Sequence, residues 1–266
     1  MIDHTGRTIN YLRISVTDRC NLRCTYCMPA QGIKLMDHAN ILTYQEITEF
    51  TKIAVSKGVD KVRITGGEPL VRKEITTLIA MLSKMDGIKD LSMTTNGILL
   101  EELALPLKNA GLMRVNVSLD TLDKDKYKEL TRGGDLGKVI RGLEKASQVG
   151  LQPIKINCVV ETNRYEPEAM EVTSFANKMG YKIRFIQKMD LVKGTFGIVD
   201  GGSGGDCAKC NRLRLTPDGK LKPCLFSDIG IDIKTTGYKE AIEKALEIKP
   251  TKGQCNHTGA FYNIGG

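Results

Sequence analysis

Short segments rich in apolar and β-branched residues recur along the first 190 residues, and longer polar stretches separate them. Six of these segments have the length and composition of β-strands. They span residues 11–15, 62–65, 91–94, 114–118, 154–160 and 183–186. Strands that alternate with longer segments in this way are typical of a parallel sheet with helical crossovers.

The segments between these strands carry apolar residues at helical spacing. Residues 43–46, Thr-Tyr-Gln-Glu, form a capping box, and Ile47, Phe50 and Ala54 follow at the spacing of one helix face. They predict a helix that ends near residue 56, and further helices are predicted at 74–84, 99–110, 138–148 and 166–178. Six such units predict an α/β fold, specifically an incomplete (β/α)6 TIM-like barrel.

The pattern changes after the sixth strand. Residues 200–206, Asp-Gly-Gly-Ser-Gly-Gly-Asp, resemble a flexible link. Segments 213–216 and 220–225 flank a Pro-Asp-Gly turn and predict a hairpin, and a last helix is predicted at 238–247. We therefore expect a partial barrel at 1–190, a glycine-rich linker at 191–206 and a small C-terminal domain at 207–266.

Distinctive residues follow four of the predicted strands. A cysteine-rich loop follows the first strand, residues 66–69 (GGEP) the second, residues 94–97 (TTNG) the third and residues 118–120 (SLD) the fourth. The carboxyl ends of parallel strands lie at one rim of a barrel, where active sites are built. We therefore expect these four segments to form one site.

The loop after the first strand places Cys20, Cys24 and Cys27 in a CxxxCxxC pattern. Three thiolates can hold three corners of a cubane iron–sulfur cluster and leave the fourth iron open to a small molecule. Structural zinc is the alternative, although zinc sites usually close with four ligands. The chain begins without the apolar stretch of a secretion signal, so we expect cytoplasmic, reduced thiols and not disulfides.

A second group of cysteines comprises Cys207, Cys210 and Cys224, which the predicted hairpin brings together. Its spacing fits either zinc or a second cubane cluster, and the latter would make the C-terminal part an iron–sulfur domain. The neighbouring Arg212 and Arg214 alternate along a strand and so share one face. The remaining cysteines match no ligand spacing: Cys158 is interpreted as a buried strand residue and Cys255 as incidental.

The chain has 266 residues with 39 Lys+Arg against 31 Asp+Glu, a net charge of +8 that favours acidic partners. No apolar run suggests a membrane span. Cations lie on or beside separate predicted strands, and inward-facing side chains would form a socket for a polyanion such as a triphosphate. The alternative is that each cation lies at a strand end and reaches water. These cations are Arg13, Lys61, Arg63, Lys155 and Arg184.

The GGEP segment also has two interpretations. Paired glycines permit unusual backbone angles and proline suits a helix start, so the segment could be a simple strand-to-helix turn. One unit after an open CxxxCxxC loop, it is also placed to grip the amino group of a cluster ligand through backbone carbonyls and the region of Glu68.

Taken together, these motifs resemble the radical S-adenosylmethionine (SAM) superfamily and, more narrowly, the GTP 3′,8-cyclase family of molybdenum cofactor biosynthesis. The resemblance rests on residues 12–19 before the cysteine loop and on 63–70, 94–97 and 115–120. The narrower match rests on 207–216, Cys224 and the terminal Gly265-Gly266. It covers nearly the whole chain.

The resemblance implies two [4Fe–4S] clusters, one on each cysteine group, with SAM on the first cluster and the purine of GTP on the second. The radical formed from SAM would take the ribose C3′ hydrogen, and C3′ would then bond to guanine C8. By the same resemblance, the SAM site comprises Tyr26, Gly66, Gly67, Glu68, Ser118 and Met189. GTP would meet Arg13, Arg63, Thr94, Lys155, Arg184, Arg212 and Arg214. Catalytic roles are implied for Arg13, Lys61, Gly265 and Gly266.

The resemblance also implies a one-electron donor, a downstream cyclic pyranopterin monophosphate synthase and a homodimer. The chain departs from the family between Met189 and Cys207, where it is shorter, and has Gln187 and Asp190 in place of Glu and Pro. A radical SAM enzyme that acts on a peptide or another nucleotide is therefore a second hypothesis. A metal-containing module that binds RNA through its basic surface is a third, although nucleic acid leaves the strand-end motifs unexplained.

Overall fold

The computed structural model describes residues 1–190 and 196–253, and its centre is one nine-stranded sheet. Strands β1 to β6 are parallel neighbours in chain order, β7 lies parallel beside β1, and β8 and β9 continue antiparallel. The strands are β1 (Tyr11–Ser15), β2 (Lys61–Thr65), β3 (Asp90–Thr95), β4 (Arg114–Ser118), β5 (Lys155–Val160), β6 (Lys182–Gln187), β7 (Arg212–Leu215), β8 (Lys220–Lys222) and β9 (Ile231–Asp232).

Helices connect the parallel strands, so the predicted partial TIM-like barrel is confirmed. They are α1 (Tyr44–Ser56), α2 (Ile75–Ser83), α3 (Leu100–Asn109), α4 (Lys124–Thr131), α5 (Leu136–Gln148), α6 (Pro167–Lys178), α7 (Ile233–Thr236) and α8 (Tyr238–Glu247). The six predicted barrel strands differ from β1–β6 by one residue at most. The sequence patterns did not predict α4 or α7, which are short.

The strands alternate between two faces. Outward residues such as Leu12, Ile14 and Val62 are buried against the helices, which contribute Phe50 and Leu78 to the same core. The residues between them face the lumen and are mostly polar, because no helix covers that side. Matching register aligns this polar layer across β7, β1, β2, β3 and β4: Arg214, Arg13, Arg63, Ser92 and Arg114.

The glycine-rich segment after β6 is hydrogen-bonded in the structure, in contrast to the flexible link that its composition suggested. Phe185 and Asp200 exchange backbone hydrogen bonds of 3.1 and 3.2 Å. Gly201 has a φ of +74°, and a Cβ there would lie 2.6 Å from the carbonyl oxygen of Ile183. Glycine is therefore needed for close packing against β6. The division at 190/191 and 206/207 stays a prediction, and β7 extends the barrel sheet directly.

None of the helices in residues 1–190 and 196–253 has the length and apolarity that crossing a membrane requires.

Candidate active site

The CxxxCxxC loop leaves the carboxyl end of β1 and is folded into a tight turn. The backbone N–H groups of Cys27 and Met28 both donate to the carbonyl of Cys24 at 3.0 Å. The end of α4 supports this turn, because the N–H of Thr25 donates to the carbonyl of Leu130 at 2.9 Å. A helix that the sequence patterns missed therefore holds the cysteine loop in place.

Arg132, the residue that follows α4, makes two further contacts with this loop. Its guanidinium donates to the carbonyls of Arg23 and Met28 at 2.8 and 2.7 Å, on either side of the cysteines. Its backbone is left-handed, with a φ of +52°, and Gly133 follows. The sequence signal was the N-cap Asp123 and the Arg-Gly-Gly that ends the helix.

The three thiols of this loop influence one another. Burial, together with the charge of neighbouring cysteines, raises the pKa of Cys20 to about 11 and that of Cys24 to about 12. Three adjacent thiolates therefore need a positively charged centre, which a metal cluster supplies. Three thiols on one loop fit the three-ligand cluster that the spacing predicts. Over the two described ranges, His, Cys, Asp and Glu form no group of three that could hold a single metal ion.

The ends of β2 and β3 are tied to this loop. The N–H groups of Gly67 and Glu68 donate to the carbonyls of Thr17 and Arg19, both at 2.8 Å. Asn96 donates from its side-chain amide to Asn21 Oδ1 at 2.8 Å and to the Cys20 sulfur at 3.8 Å. The predicted convergence of the GGEP and TTNG segments with the cysteine loop is therefore present in the structure.

Glycine is required at position 67 by this close approach. A Cβ there would overlap the carbonyl of Arg19, and a backbone carbonyl cannot move aside cheaply. We expect Gly67→Ala to destabilise the fold by about 1–3 kcal/mol and to weaken SAM binding, because the loop must shift. The measurement is anaerobic denaturant unfolding together with SAM binding. The control is Gly137→Ala on α5, where alanine favours the helix; equal losses in both variants would contradict this prediction.

The carboxylate of Glu68 is fully buried and joins the two strand ends. One oxygen accepts from the N–H of Leu70 at 3.0 Å and from the hydroxyl of Thr95 at 2.7 Å. The other oxygen accepts from the N–H of Asn96 at 2.6 Å. These contacts give Glu68 a positioning role, and its predicted contact with SAM stays a prediction.

Glu68 also predicts a pH dependence. Burial raises the pKa of its carboxyl from 4.5 to about 7, and its three hydrogen bonds only partly oppose this. A raised pKa means that the folded state binds the proton more tightly. The resulting stability is fully present below pH 4.5 and is lost as the pH rises through about 7. We expect the free energy of unfolding to fall by about 2–3 kcal/mol across this window.

The measurement is anaerobic chemical unfolding at several pH values from 5 to 8, comparing the wild type with Glu68→Gln, in which this slope is absent. Glu46→Gln is the control. Burial acts to raise the pKa of Glu46, but hydrogen bonds from Thr43 and Lys234 outweigh it and lower the pKa, so Glu46 titrates below the window. A Glu68→Gln profile parallel to the wild type would contradict the assignment.

Tyr26, predicted at the SAM site, is held by a residue that was not in the predicted site set. Its hydroxyl donates to Asp120 Oδ2 at 2.7 Å, and Asp120 Oδ1 accepts from the N–H of Val159 at 2.8 Å. Burial raises the pKa of both Tyr26 and Asp120. Asp120 lies in the SLD segment after β4, so its place at the rim was the available signal.

A cleft of about 660 Å³ opens in the lumen. Five of the predicted substrate residues line it: Arg13, Arg63, Arg184, Arg212 and Arg214. Met189 also lines this cleft, beside Phe196 and Leu225. Asn157, Phe196 and Val199 are lining residues that the sequence patterns did not indicate. The arginines therefore face one cleft in the lumen, and their role as a socket for a polyanion stays a prediction.

These arginines lie in one another's positive field. Burial and neighbouring cations lower the pKa of Arg63 and of Arg214, each to about 10. The same causes lower the pKa of Arg13 and Arg184, and lower that of Lys155 to about 8. Cations concentrated in a buried cleft favour a polyanionic ligand, which would relieve their repulsion.

The other predicted residues are less central to the cleft. Thr94 accepts a hydrogen bond of 3.4 Å from Asn116 on the neighbouring strand, and Ser118 pairs in register with Asn157. Lys61 begins β2 at the opposite end of the strand from the cysteine loop and is not among the lining residues. Gly265, Gly266 and Cys255 lie outside the described residues. Cys158 is buried on β5, as predicted.

The second cysteine group adjoins the arginine cleft. Cys207, Cys210 and Cys224 line a recess of about 440 Å³, which shares four lining residues with the cleft. The shared residues are Phe196, Arg212, Arg214 and Leu225. Burial acts to raise the pKa of Cys210, but Lys249, Arg212 and Arg214 outweigh it and lower the pKa. The three thiols therefore line one recess at the edge of the cleft.

Comparison with known proteins agrees with this architecture. Residues 14–175 match the model of the radical SAM superfamily, and residues 162–254 match the model described as Molybdenum Cofactor Synthesis C. The first match defines a radical SAM enzyme, with SAM and an iron–sulfur cluster as cofactors.

Curated relatives narrow the assignment. A protein named GTP 3′,8-cyclase from Thermodesulfovibrio yellowstonii is 41% identical, and the alignment covers 97% of each chain. One with the same name from Alkaliphilus oremlandii is 42% identical over 92% of this chain and 91% of its own. The chain belongs to the GTP 3′,8-cyclase family. The first alignment extends over 312 positions, more than the 266 residues here, so that relative contains residues that this chain lacks.

Solved structures share the fold at low sequence identity. Streptococcus suis SuiB bound to S-adenosylmethionine has a TM-score of 0.67 at 19% identity, covering 92% of this chain and 67% of its own. The structure titled native anSMEcpe with bound AdoMet has a TM-score of 0.64 at 18% identity, covering 91% and 81%. At these identities the likeness concerns the fold alone.

Proposed function

We propose that this protein converts GTP to (8S)-3′,8-cyclo-7,8-dihydroguanosine 5′-triphosphate, the first step of molybdenum cofactor biosynthesis. The observation that carries the proposal is the arginine cleft, which lies within a radical SAM barrel and adjoins a second group of three cysteines. The names of the curated relatives and the match to Molybdenum Cofactor Synthesis C support the same reaction.

The triphosphate is assigned to the arginines of the lumen. Guanidinium groups bind phosphate oxygens through paired hydrogen bonds, and they keep their charge when buried better than lysines do. Arg13 and Arg214 are neighbours in register, as are Arg13 and Arg63, so three cations form one row across adjacent strands. Thr94, Lys155, Arg184 and Arg212 complete the proposed substrate site.

Formation of the radical is assigned to the part of the site around the CxxxCxxC loop. Cys20, Cys24 and Cys27 would hold a [4Fe–4S] cluster, with SAM near Tyr26, Gly66, Gly67, Glu68, Ser118 and Met189. When bound, cluster and SAM supply a 5′-deoxyadenosyl radical that can remove a ribose hydrogen. The chain's own task is to fix the cysteine loop through Arg132 and Asn96 and to hold the ribose within reach.

Water must be kept from this radical. The segment 196–204 contributes Phe196, Val199 and its glycines to one wall of the cleft. Ser203 accepts a hydrogen bond from Arg212 at 2.8 Å, so the wall is bound to a substrate residue. This wall lies where the chain is shorter than its family pattern. It therefore bears on whether GTP or another nucleotide is the preferred substrate.

A second [4Fe–4S] cluster is proposed on Cys207, Cys210 and Cys224, where it would bind the purine. The proposal also includes Lys61 and the terminal Gly265-Gly266 as catalytic residues, and a one-electron donor. A cyclic pyranopterin monophosphate synthase would consume the product. Cytoplasmic location and a homodimer remain predictions of the same kind.

The deciding experiment is anaerobic incubation of the reconstituted protein with SAM, dithionite and GTP, followed by mass analysis of the nucleotides. We expect 5′-deoxyadenosine and a cyclised nucleotide of unchanged mass relative to GTP, in equal amounts. A parallel panel of ATP, ITP and GDP tests the substrate. Deoxyadenosine formation with no consumption of GTP, or with another nucleotide preferred, would contradict the proposal and favour the second hypothesis.

A further inference from the structure

A network of charged side chains surrounds the backbone that presents the second cysteine group, and the proposed reaction leaves it unexplained. Its centre is Lys249, which is only 1% exposed. The Lys249 ammonium donates to the carbonyl of Arg212 at 2.7 Å and to the carbonyl of Pro223 at 2.5 Å. Its positive charge also acts on the thiol of Cys210. One buried cation therefore joins the start of β7, two residues after Cys210, to the segment after β8 that carries Cys224.

Arg7 makes the corresponding contact with the third cysteine. Its guanidinium donates to the carbonyl of Cys207 at 2.8 Å and to the carbonyls of Lys249 and Pro250 at 3.3 and 3.0 Å. Asp3 fixes this guanidinium through an ion pair of 2.7 Å. Residues about 200 positions apart in the chain are thus brought together around one group of thiols.

A purely structural role is a poor explanation for Lys249. A buried cation is costly, and well-packed apolar residues are often as stable or more stable in its place. Here the cation is bound to the carbonyls of Arg212 and Pro223, two residues that line the recess of the cysteines. Cations and hydrogen-bond donors beside thiolate ligands hold the ligands in place and stabilise the more negative, reduced form of a cluster.

We propose that Lys249 and Arg7 are positioning residues for the metal centre of the second cysteine group. They fix the carbonyls of Cys207, Arg212 and Pro223 and place two positive charges near the three cysteines, which raises both the affinity for the cluster and its reduction potential. The inference rests on the proposed function in one respect, namely that this group holds an iron–sulfur cluster.

The test uses the full-length chain with Cys20, Cys24 and Cys27 all changed to alanine, so that only the second group can bind iron. Lys249→Met, Lys249→Arg and Lys108→Met are introduced into this background. Lys108 is the matched control, because its ammonium donates to the carbonyl of Gly150 at 2.7 Å, a lysine-to-carbonyl contact between α3 and the residues after α5. Iron and sulfide per chain and the midpoint potential are measured after anaerobic reconstitution.

We expect about four irons per chain in the background and in Lys108→Met. Lys249→Met should bind at least about twofold less iron, or hold its cluster at a more negative potential, and Lys249→Arg should restore both values towards the background. Unchanged iron content and midpoint potential in Lys249→Met would overturn this inference but not the second cluster. A background that binds no iron would overturn the second cluster and the inference with it.

Folding is checked by placing Lys249→Met in the otherwise wild-type chain. The first cluster should keep its electron paramagnetic resonance signal on reduction. Its loop is held by Arg132 after α4 and not by the network of Lys249 and Arg7. Loss of both clusters in Lys249→Met and in Lys249→Arg, with unfolded circular dichroism spectra, would make Lys249 a general folding residue and overturn the assignment.

Discussion

Cys24→Ala is expected to reduce 5′-deoxyadenosine formation to the level of a control without enzyme, and to remove the cyclised nucleotide with it. The carbonyl of Cys24 forms the turn of the loop, and this interaction survives in alanine. Only the thiolate is lost. Because the loop provides three ligands, removal of one leaves too few to retain the cluster that binds SAM.

The measurement is anaerobic turnover with SAM, dithionite and GTP, with iron counted on the same samples. Cys158→Ala is the matched control, since Cys158 is a buried cysteine on β5 and not part of the CxxxCxxC loop. It should keep its iron and its activity and lose about 1 kcal/mol of stability. Wild-type amounts of deoxyadenosine from Cys24→Ala would show that the first cysteine group is not the radical centre.

Arg63→Met is expected to raise the dissociation constant for GTP by about 10-fold to 100-fold, which corresponds to one charge-assisted hydrogen bond. The same change should leave the substrate-free protein as stable as the wild type, or up to about 2 kcal/mol more stable. Arg63 is 6% exposed and lies among other cations. On the proposed function, the buried charge of Arg63 increases the affinity for GTP and lowers the stability of the substrate-free protein.

The control for Arg63→Met is Arg114→Met in the same layer of the lumen. The two arginines flank Ser92 in register, but Arg114 forms a two-point ion pair with Asp90 at 2.9 and 2.6 Å. Loss of this ion pair should lower the stability by about 1–3 kcal/mol, a range that allows for the partial exposure of Asp90. It should change the dissociation constant for GTP much less than Arg63→Met does. Isothermal titration and denaturant unfolding measure both. Similar stability losses in the two variants would make Arg63 a structural residue.

These two arginines show what strand alternation predicts and what it does not. Alternation predicts which face a residue takes, so a position in the lumen was one of two interpretations of Arg13, Arg63 and Arg184 in the sequence. It does not predict what else lies there. Arg114 begins a strand in the same register, and its pairing with Asp90 depends on the order of β3 and β4 in the sheet.

Predictions from short sequence motifs were most accurate for features that depend on a few neighbouring residues. The capping box of Thr43 and Glu46 is present with both of its hydrogen bonds, and α1 begins and ends where the pattern predicted. The Pro-Asp-Gly turn joins β7 and β8 as expected. Helix α4 was missed because its eight residues bury only Tyr127 and Thr131, which is too little for a helical apolar pattern.

The glycine-rich segment at 200–206 is a feature that its sequence composition did not predict correctly. Its composition is that of a flexible link, but Gly201 is needed because the chain passes close to β6, and Ser203 contacts Arg212. Composition alone does not distinguish a glycine that makes the backbone flexible from a glycine that lets two backbone segments pack closely together. The same segment forms a wall of the substrate cleft, so the difference matters for function.

The sequence alone determined the strands and helices of the barrel and both groups of cysteines, because each depends on spacing within a short part of the chain. The row of arginines depends on the order and register of the strands, so it became visible only in the tertiary structure. Only the tertiary structure decided what holds these groups. Arg132 reaches the first cysteine loop from α4, Asp120 reaches Tyr26 from β4, and Lys249 and Arg7 reach the second group from opposite ends of the chain. These contacts join residues far apart in sequence, and no local periodicity encodes such a meeting.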